Sequence, residues 1–197
     1  MIDRDSEIAE AVRLARRAVA LGKNDETALW SGGLSLAYLA KEVEAGAAYI
    51  DRALLLNPNS AASWTASGSV RTYLGEYASA IEHFERAMRL SPLDPLTYFA
   101  FTGMAGAHAL AGRYDEAVFW ATKALHEQPS HVGALRVAVI ANALSDRMVE
   151  ARAAMARLRE ADPTLRLGNL DRVASPLRRA EDRERYTESL RKAGLPE

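Results

Sequence analysis

Between Asn57 and Pro92 the apolar residues fall three and four apart, on one side of two successive helices, and polar residues fill the gaps. The stretch reads NPNSAASWTASGSVRTYLGEYASAIEHFERAMRLSP, with Gly75 marking the turn between the helices. A similar two-helix unit recurs along the chain: Ala53 and Ala87 are 34 residues apart, as are Pro129 and Pro163. A helix pair of this length cannot cover its own apolar face, so each unit needs neighbours to bury it. Trp64, Leu74, Tyr77, Ile81, Phe84, Met88 and Leu90 are the expected core of this unit, with Ala80 and Ala87 small where two helix backbones meet.

Counting Ala61 as the first position of the unit, Trp64, Gly68, Gly75, Tyr77, Ala80, Phe84, Ala87 and Pro92 fall at positions 4, 8, 15, 17, 20, 24, 27 and 32. That set resembles the tetratricopeptide (TPR) repeat, and eight agreeing positions in one window make the resemblance specific. It implies an all-α, right-handed TPR superhelix, an α-solenoid of about four helix pairs flanked by N- and C-terminal cap helices.

Read in register, a leading helix is expected over 7–21, then repeats over 25–58, 59–93, 94–129 and 130–163, and a C-terminal cap over 164–197, all in one solenoid domain spanning 1–197. The leading helix has the pattern of a repeat's second helix. Either its first helix is encoded upstream of Met1, or it is a native N-terminal cap. Asp25 is placed to cap the first helix of repeat one, which carries Trp30, Leu34 and Leu36, with Ile50, Ala53 and Leu56 on the second. The inner turn KEVEAG lacks the usual Gly and Tyr at their places in the repeat pattern. Asp94 followed by Pro95 is a helix-start pair for repeat three, and Ser130 is the expected cap of repeat four, whose inner turn puts Asp146 in place of glycine. Gly103 and Gly106 weaken the first helix of repeat three by roughly 1 kcal/mol each, so close backbone packing is expected there, with a bound ligand as the alternative. The mixed-charge terminal helix, stopped at Gly194, has the composition of a solubilising cap.

Composition narrows the function classes. The 197 residues are 49% hydrophobic with a net charge of −1, so the chain as a whole lacks the basic footprint of a nucleic-acid or acidic-lipid binder. Cysteine is absent, which excludes disulfide and thiol chemistry and fits a reducing compartment. No apolar run is long enough for a signal peptide or a membrane span, and a cytoplasmic location is expected.

No catalytic constellation emerges. His83, His108, His126 and His131 occupy no metal-ligand spacing and are expected to be solvated or groove-lining. The SGG at Ser31 to Gly33 and the SGS at Ser67 to Ser69 lie inside helices, where they cannot form phosphate loops. Asp115 and Glu116 suit the positive end of a helix. The chain is read as a non-enzyme without cofactor or metal.

In TPR arrays the concave surface is lined by positions 2, 5, 9, 12 and 13 of each first helix. The resemblance therefore implies a partner-binding surface of Ser31, Ser35, Tyr38, Thr65, Ser69, Tyr73, Phe99, Thr102 and Arg136. Ala28, Leu39, Ala62, Thr72, Gly106, Ala109, Leu110, Gly133, Ile140, Ala143 and Leu144 complete the mapping. This lining is small, hydroxylic and apolar with one cation, and it lacks the Lys and Asn set that holds a C-terminal carboxylate in some TPR proteins. It suits an apolar-anchored helix or extended peptide, or a groove filled by a neighbouring segment or a second copy.

The runs LSPLDP, GRYDEAVFWATKAL, ALRVAVIANAL and RYTESLRKAGLPE resemble the C-terminal TPR half of bacterial class III adenylate/guanylate cyclase-like proteins. This implies a bacterial signalling context. The chain is thus expected to be a scaffold that binds a protein or peptide, with neither nucleic acid nor membrane as partner. The alternative is a regulatory or dimerisation segment, forming a homodimer within a larger signalling protein.

Overall fold

The computed structural model describes residues 4–174 and 176–197; Met1 to Asp3 and Ser175 lie outside the described residues, and with them the expected chain start and one position of the C-terminal cap. Among the described residues the secondary structure is entirely helical, and the chain divides into two compact units, one ending at Ser91 and one beginning at Pro92.

The first unit contains α1 (Arg4–Leu21), α2 (Glu26–Leu39), α3 (Val43–Leu56), α4 (Ala61–Leu74) and α5 (Tyr77–Leu90). Asp25 caps α2 as its spacing predicts, its carboxylate accepting from the Ala28 N–H at 3.0 Å. Ser60 does the same for α4, accepting from the Ser63 N–H. The turn after α2, which has no glycine, is made instead by Lys41 at φ 60°. Gly75 sits at φ 87° after α4, and its N–H reaches the Arg71 and Thr72 carbonyls. The α2–α3 crossing is tight because glycine faces glycine: a Cβ on Gly33 would lie 2.9 Å from the Gly46 carbonyl oxygen. Arg71 joins three helices, pairing with Asp51 of α3 at 2.7 Å and with Glu76 ahead of α5 at 3.0 Å.

The core of this unit is drawn differently from the sequence expectation. Ile81 and Phe84 are buried, but Leu90 is 37% exposed and Leu56 46% exposed. Trp64 is only partly buried. Its indole N–H donates to the Pro58 carbonyl at 2.9 Å, the His83 ring meets it edge-on, and the Arg86 guanidinium lies over it. The indole therefore closes the edge of the pair, with one polar end toward a loop, and the centre is left to Phe84, Ala66 and Val70.

The second unit contains α6 (Thr97–Leu110), α7 (Tyr114–Glu127), α8 (Val132–Leu144), α9 (Met148–Ala161), a short 3-10 turn (Leu167–Asn169), α10 (Leu170–Val173) and α11 (Ala180–Lys192). Two helix starts differ from expectation. Asp94 and Pro95 form a turn ahead of α6, in which the Asp94 carboxylate accepts from the Leu96 N–H at 2.8 Å and Leu96 takes the N-cap place. His131 replaces Ser130 at the N-cap of α8. Asp146 adopts φ 59° in the turn after α8, as its substitution for glycine requires. Gly106 is not a close-packing site, since the nearest atom to a Cβ placed there is Val137 Cγ2 at 3.9 Å.

The terminal segment is more than a polar cover. Leu190, Ala193 and Leu195 are buried with Leu135, Val139, Ile140, Met155, Leu158, Leu165 and Leu170 in one cluster. Arg185 holds α11 in place, donating to the Leu110 carbonyl at 3.2 Å and to the Asp182 carboxylate at 2.5 Å, and Asp182 is 1% exposed. Gly194, at φ 98°, ends the helix as predicted.

Candidate functional site

In the first unit the partly exposed face of α2 and α4 carries Ser31, Ser35 and Tyr38 from one helix and Thr65, Ser69 and Tyr73 from the other. Their hydroxyls share one arrangement. Ser31 donates to the Thr27 carbonyl at 2.6 Å, Ser35 to Ser31 at 2.8 Å, Thr65 to Ala61 at 3.0 Å and Ser69 to Thr65 at 3.1 Å. Each hydroxyl proton is spent on the helix that bears it, so the face offers acceptor lone pairs outward. The Tyr38 and Tyr73 rings stand 6.4 Å apart, tilted 41°, and bring the two helices together at one end of the face. Thr72, mapped beside Tyr73 by the repeat register, is buried and bonded to the Gly68 carbonyl, so it leaves the face.

In the second unit the corresponding helices are α6 and α8. Phe99 is 46% exposed, and Thr102, one turn on, donates its hydroxyl to the Tyr98 carbonyl at 2.7 Å. His131 meets the rings of Tyr98 and Phe99 edge-on, with centroids 5.0 and 5.3 Å away. Burial and then the charge of Arg136 hold the His131 imidazole below its ordinary pKa. Arg136 is partly exposed on α8, and neither α6 nor α8 carries a carboxylate in its sequence.

Of the other seven mapped positions of this unit, Gly106 and Gly133 are partly exposed and five are withdrawn. Ala109, Leu110 and Ile140 are buried, and Ala143 and Leu144 pack against the cluster that contains the C-terminal segment. The chain's own α11 region thus fills the part of the α8 face that the repeat register assigns to a partner. The reason is local: Leu190, Ala193 and Leu195 need burial, and α8 supplies the apolar surface.

The histidines are not uniformly solvated. His108 is 8% exposed, and His83 is partly buried with its Nδ1 3.0 Å from the Ser67 hydroxyl. Burial, then Arg71, lowers the His83 pKa. Only His126 is plainly solvent-facing, at 86% side-chain exposure. Among the described residues no three His, Cys, Asp or Glu side chains gather as metal ligands.

A set of residues missed at the sequence level joins ring and cation in two consecutive repeats. Arg86 lies 4.5 Å over the Trp64 ring beside His83, and Lys123 lies 4.9 Å over Trp120 and 5.0 Å over Phe101. Trp64 and Phe101, His83 and Trp120, and Arg86 and Lys123 are each separated by 37 residues. That shared interval was the available signal.

Residues 59–125 match the family model of the tetratricopeptide repeat. No curated protein matches the sequence. Among solved structures, the chain is similar to PilW, a type IV pilus biogenesis factor, at 19% identity and TM-score 0.70, over 95% of this chain and 86% of that one. It is similar to YrrB, a TPR protein with an unusual peptide-binding site, at 21% identity and TM-score 0.54, over 91% and 90% of the two chains. A MamA chain from Desulfovibrio magneticus aligns at 20% identity and TM-score 0.56, over 80% of this chain and 85% of that one. The architecture is therefore that of stacked tetratricopeptide helix pairs. No helix of the described residues is long and apolar enough to cross a membrane.

Proposed function

We propose that this chain is a non-catalytic protein-interaction module, holding a peptide or helix of a protein partner against the exposed faces of its first helices. The carrying observation is the face of α2 and α4, where Ser31, Ser35, Thr65 and Ser69 have their protons committed internally beside the Tyr38–Tyr73 pair. Such a surface is already ordered before a partner arrives, which spares part of the entropic cost of association. YrrB, similar in fold, is described by its peptide-binding site, which supports the reading. Phe99, Thr102 and Arg136 serve the same role in the second unit. The chain works in the cytoplasm, with neither nucleic acid nor membrane as partner.

Selection of a displayed random peptide library against the chain tests this. Enriched peptides should lose about tenfold in affinity with Tyr73→Ala, the loss of one aromatic anchor, and should be blocked by Ser69→Arg, while the melting temperature stays nearly unchanged. Binding indifferent to both substitutions would overturn the reading. A large stability loss in Tyr73→Ala would make Tyr73 a core residue, consistent with its packing against Ala37, Ile50 and Val70.

A second reading, the dimerisation segment of a larger signalling protein such as a cyclase, is favoured by one observation: α1 exposes Leu14 at 49% and Leu21 at 76%. Light scattering separates the two, giving 21.5 kDa for a monomeric binder and twice that for a dimer.

A further inference from the structure

Three aromatic rings of the second unit face one side chain. Lys123 of α7 sets its Nζ 4.9 Å from the Trp120 ring centroid, 5.0 Å from that of Phe101 on α6 and 5.4 Å from that of Phe119. Trp120 meets Phe119 nearly edge-on at 5.2 Å and Phe101 at 5.6 Å, tilted 34°, so the rings line different sides of the ammonium. The back of the site is fixed, because Trp120 packs against buried Ala105, Ala121 and Ala138. Its front is open: Phe119 is 55% exposed, and Lys123 is exposed as well. The ammonium rests among the rings although Glu127 lies one turn along α7, at a spacing that permits an ion pair; the Glu127 carboxylate stands 3.5 Å from His126 Nδ1 instead. Glu116, one turn before Trp120, is exposed and has no ion-pair partner among the described residues. The positions 37 residues earlier carry Glu82 for Phe119, Ser79 for Glu116 and Leu90 for Glu127, so α5 repeats neither the third ring nor the flanking carboxylates.

We propose that these rings are a binding site for an arginine side chain of a protein partner, a site that Lys123 fills until the partner displaces it. Three rings around one ammonium make a site for a cation, since each ring face is the negative end of its quadrupole. Hydration and the carboxylates select which cation. A guanidinium is more weakly hydrated than an ammonium and stacks flat on an indole, so it gives up less water than Lys123 does and gains more from Trp120. Stacked there, it keeps its N–H edge free for a carboxylate on the same helix face. A quaternary ammonium would also suit the rings, but it has no N–H to donate. The displaced Lys123 has a partner in reach, because Glu127 follows it by four residues, and Glu116 is left for the guanidinium. Asp115 does not compete, being paired with Arg147. The site lies on a second helix and does not rest on the first-helix reading above.

The test is titration of the full isotope-labelled chain with the tripeptide acetyl-Gly-Arg-Gly-amide at fixed ionic strength. Binding is read by NMR from the Trp120 indole N–H signal, identified by its loss in Trp120→Phe. The signal should move saturably. K123Q, which removes the internal competitor, should tighten the Kd about threefold, and F119L and E116Q should each weaken it about threefold, the worth of one exposed cation–ring or ion-pair contact. R113Q removes the same charge as K123Q at the start of α7, away from the rings, and should leave the Kd unchanged. K123Q and E116Q alter exposed side chains, so they decide the matter even if F119L lowers the melting temperature. No saturable shift in either the wild type or K123Q would overturn the site. An unchanged or weaker Kd in K123Q, or an equal tightening in R113Q, would overturn the displacement of Lys123. Equal or tighter binding of the same tripeptide with trimethyllysine in place of arginine would overturn the assignment to arginine.

Discussion

Gly68 of α4 lies directly against Phe84 of α5: a Cβ on Gly68 would come within 2.7 to 2.8 Å of three carbons of the Phe84 ring. Phe84 is fully buried, so the ring has nowhere to move. The large residue of one helix fills the hole left by the missing side chain of the other, and that fit sets how closely the two helices approach.

Gly68→Ala should therefore destabilise the first unit by about 1 to 3 kcal/mol through overpacking, partly offset by about 1 kcal/mol of better helix propensity. Thermal unfolding followed by circular dichroism reads the result. An unchanged or raised melting temperature would show that the crossing is loose.

Trp64→Ala should cost about 2 kcal/mol, less than the roughly 3 to 5 kcal/mol of an aromatic emptied from a full core. The indole is only partly buried, and what is lost is its bond to the Pro58 carbonyl and its contacts with His83 and Arg86. Denaturant titration gives the value. A loss at the top of the core range would return Trp64 to the interior.

Acid should weaken the fold before the carboxylates titrate. His83 and His131 both have pKa values below the ordinary histidine value, chiefly through burial, with Arg71 and Arg136 next. Unfolding frees both rings to bind protons, so stability is complete above about pH 6.5 and declines as the pH falls toward the folded-state values. The wild type should thus lose more melting temperature between about pH 7.5 and 5.5 than His83→Gln/His131→Gln. Parallel slopes would remove these two groups as the cause.

Leu190→Ala distinguishes a structural C-terminal helix from a merely solubilising one. Leu190 is fully buried with Leu135, Val139 and Leu158, so its truncation should cost about 2 to 4 kcal/mol. A cost near zero, read from chemical denaturation, would return α11 to the role of a polar cover.

The Asp25 cap, the turns at Gly75, Asp146 and Gly194, and the helical content were legible in the chain because each depends on residues within one or two helical turns of each other, and the repeat period because the same local pattern recurs. For Ser31, Ser35, Tyr38, Thr65, Ser69, Tyr73, Phe99, Thr102 and Arg136 the register gives the first helix each one lies on, and the fold leaves each of them partly or fully exposed there. What the register could not supply was the destination of residues whose partners lie far along the chain. Arg185 reaches the Leu110 carbonyl across 75 residues, and Leu190 and Leu195 join α8 and α9, so Ile140 and Leu144 were assigned to a partner when the chain covers them itself. Likewise Gly68 announces a close approach, but only the packed pair shows that Phe84 fills it, whereas a Cβ on Gly106 would make no more than an ordinary contact, 3.9 Å from Val137 Cγ2. Periodicity fixes which way a side chain faces on its own helix; what it meets there depends on the neighbouring helix, and that is decided only when the apolar faces are buried together.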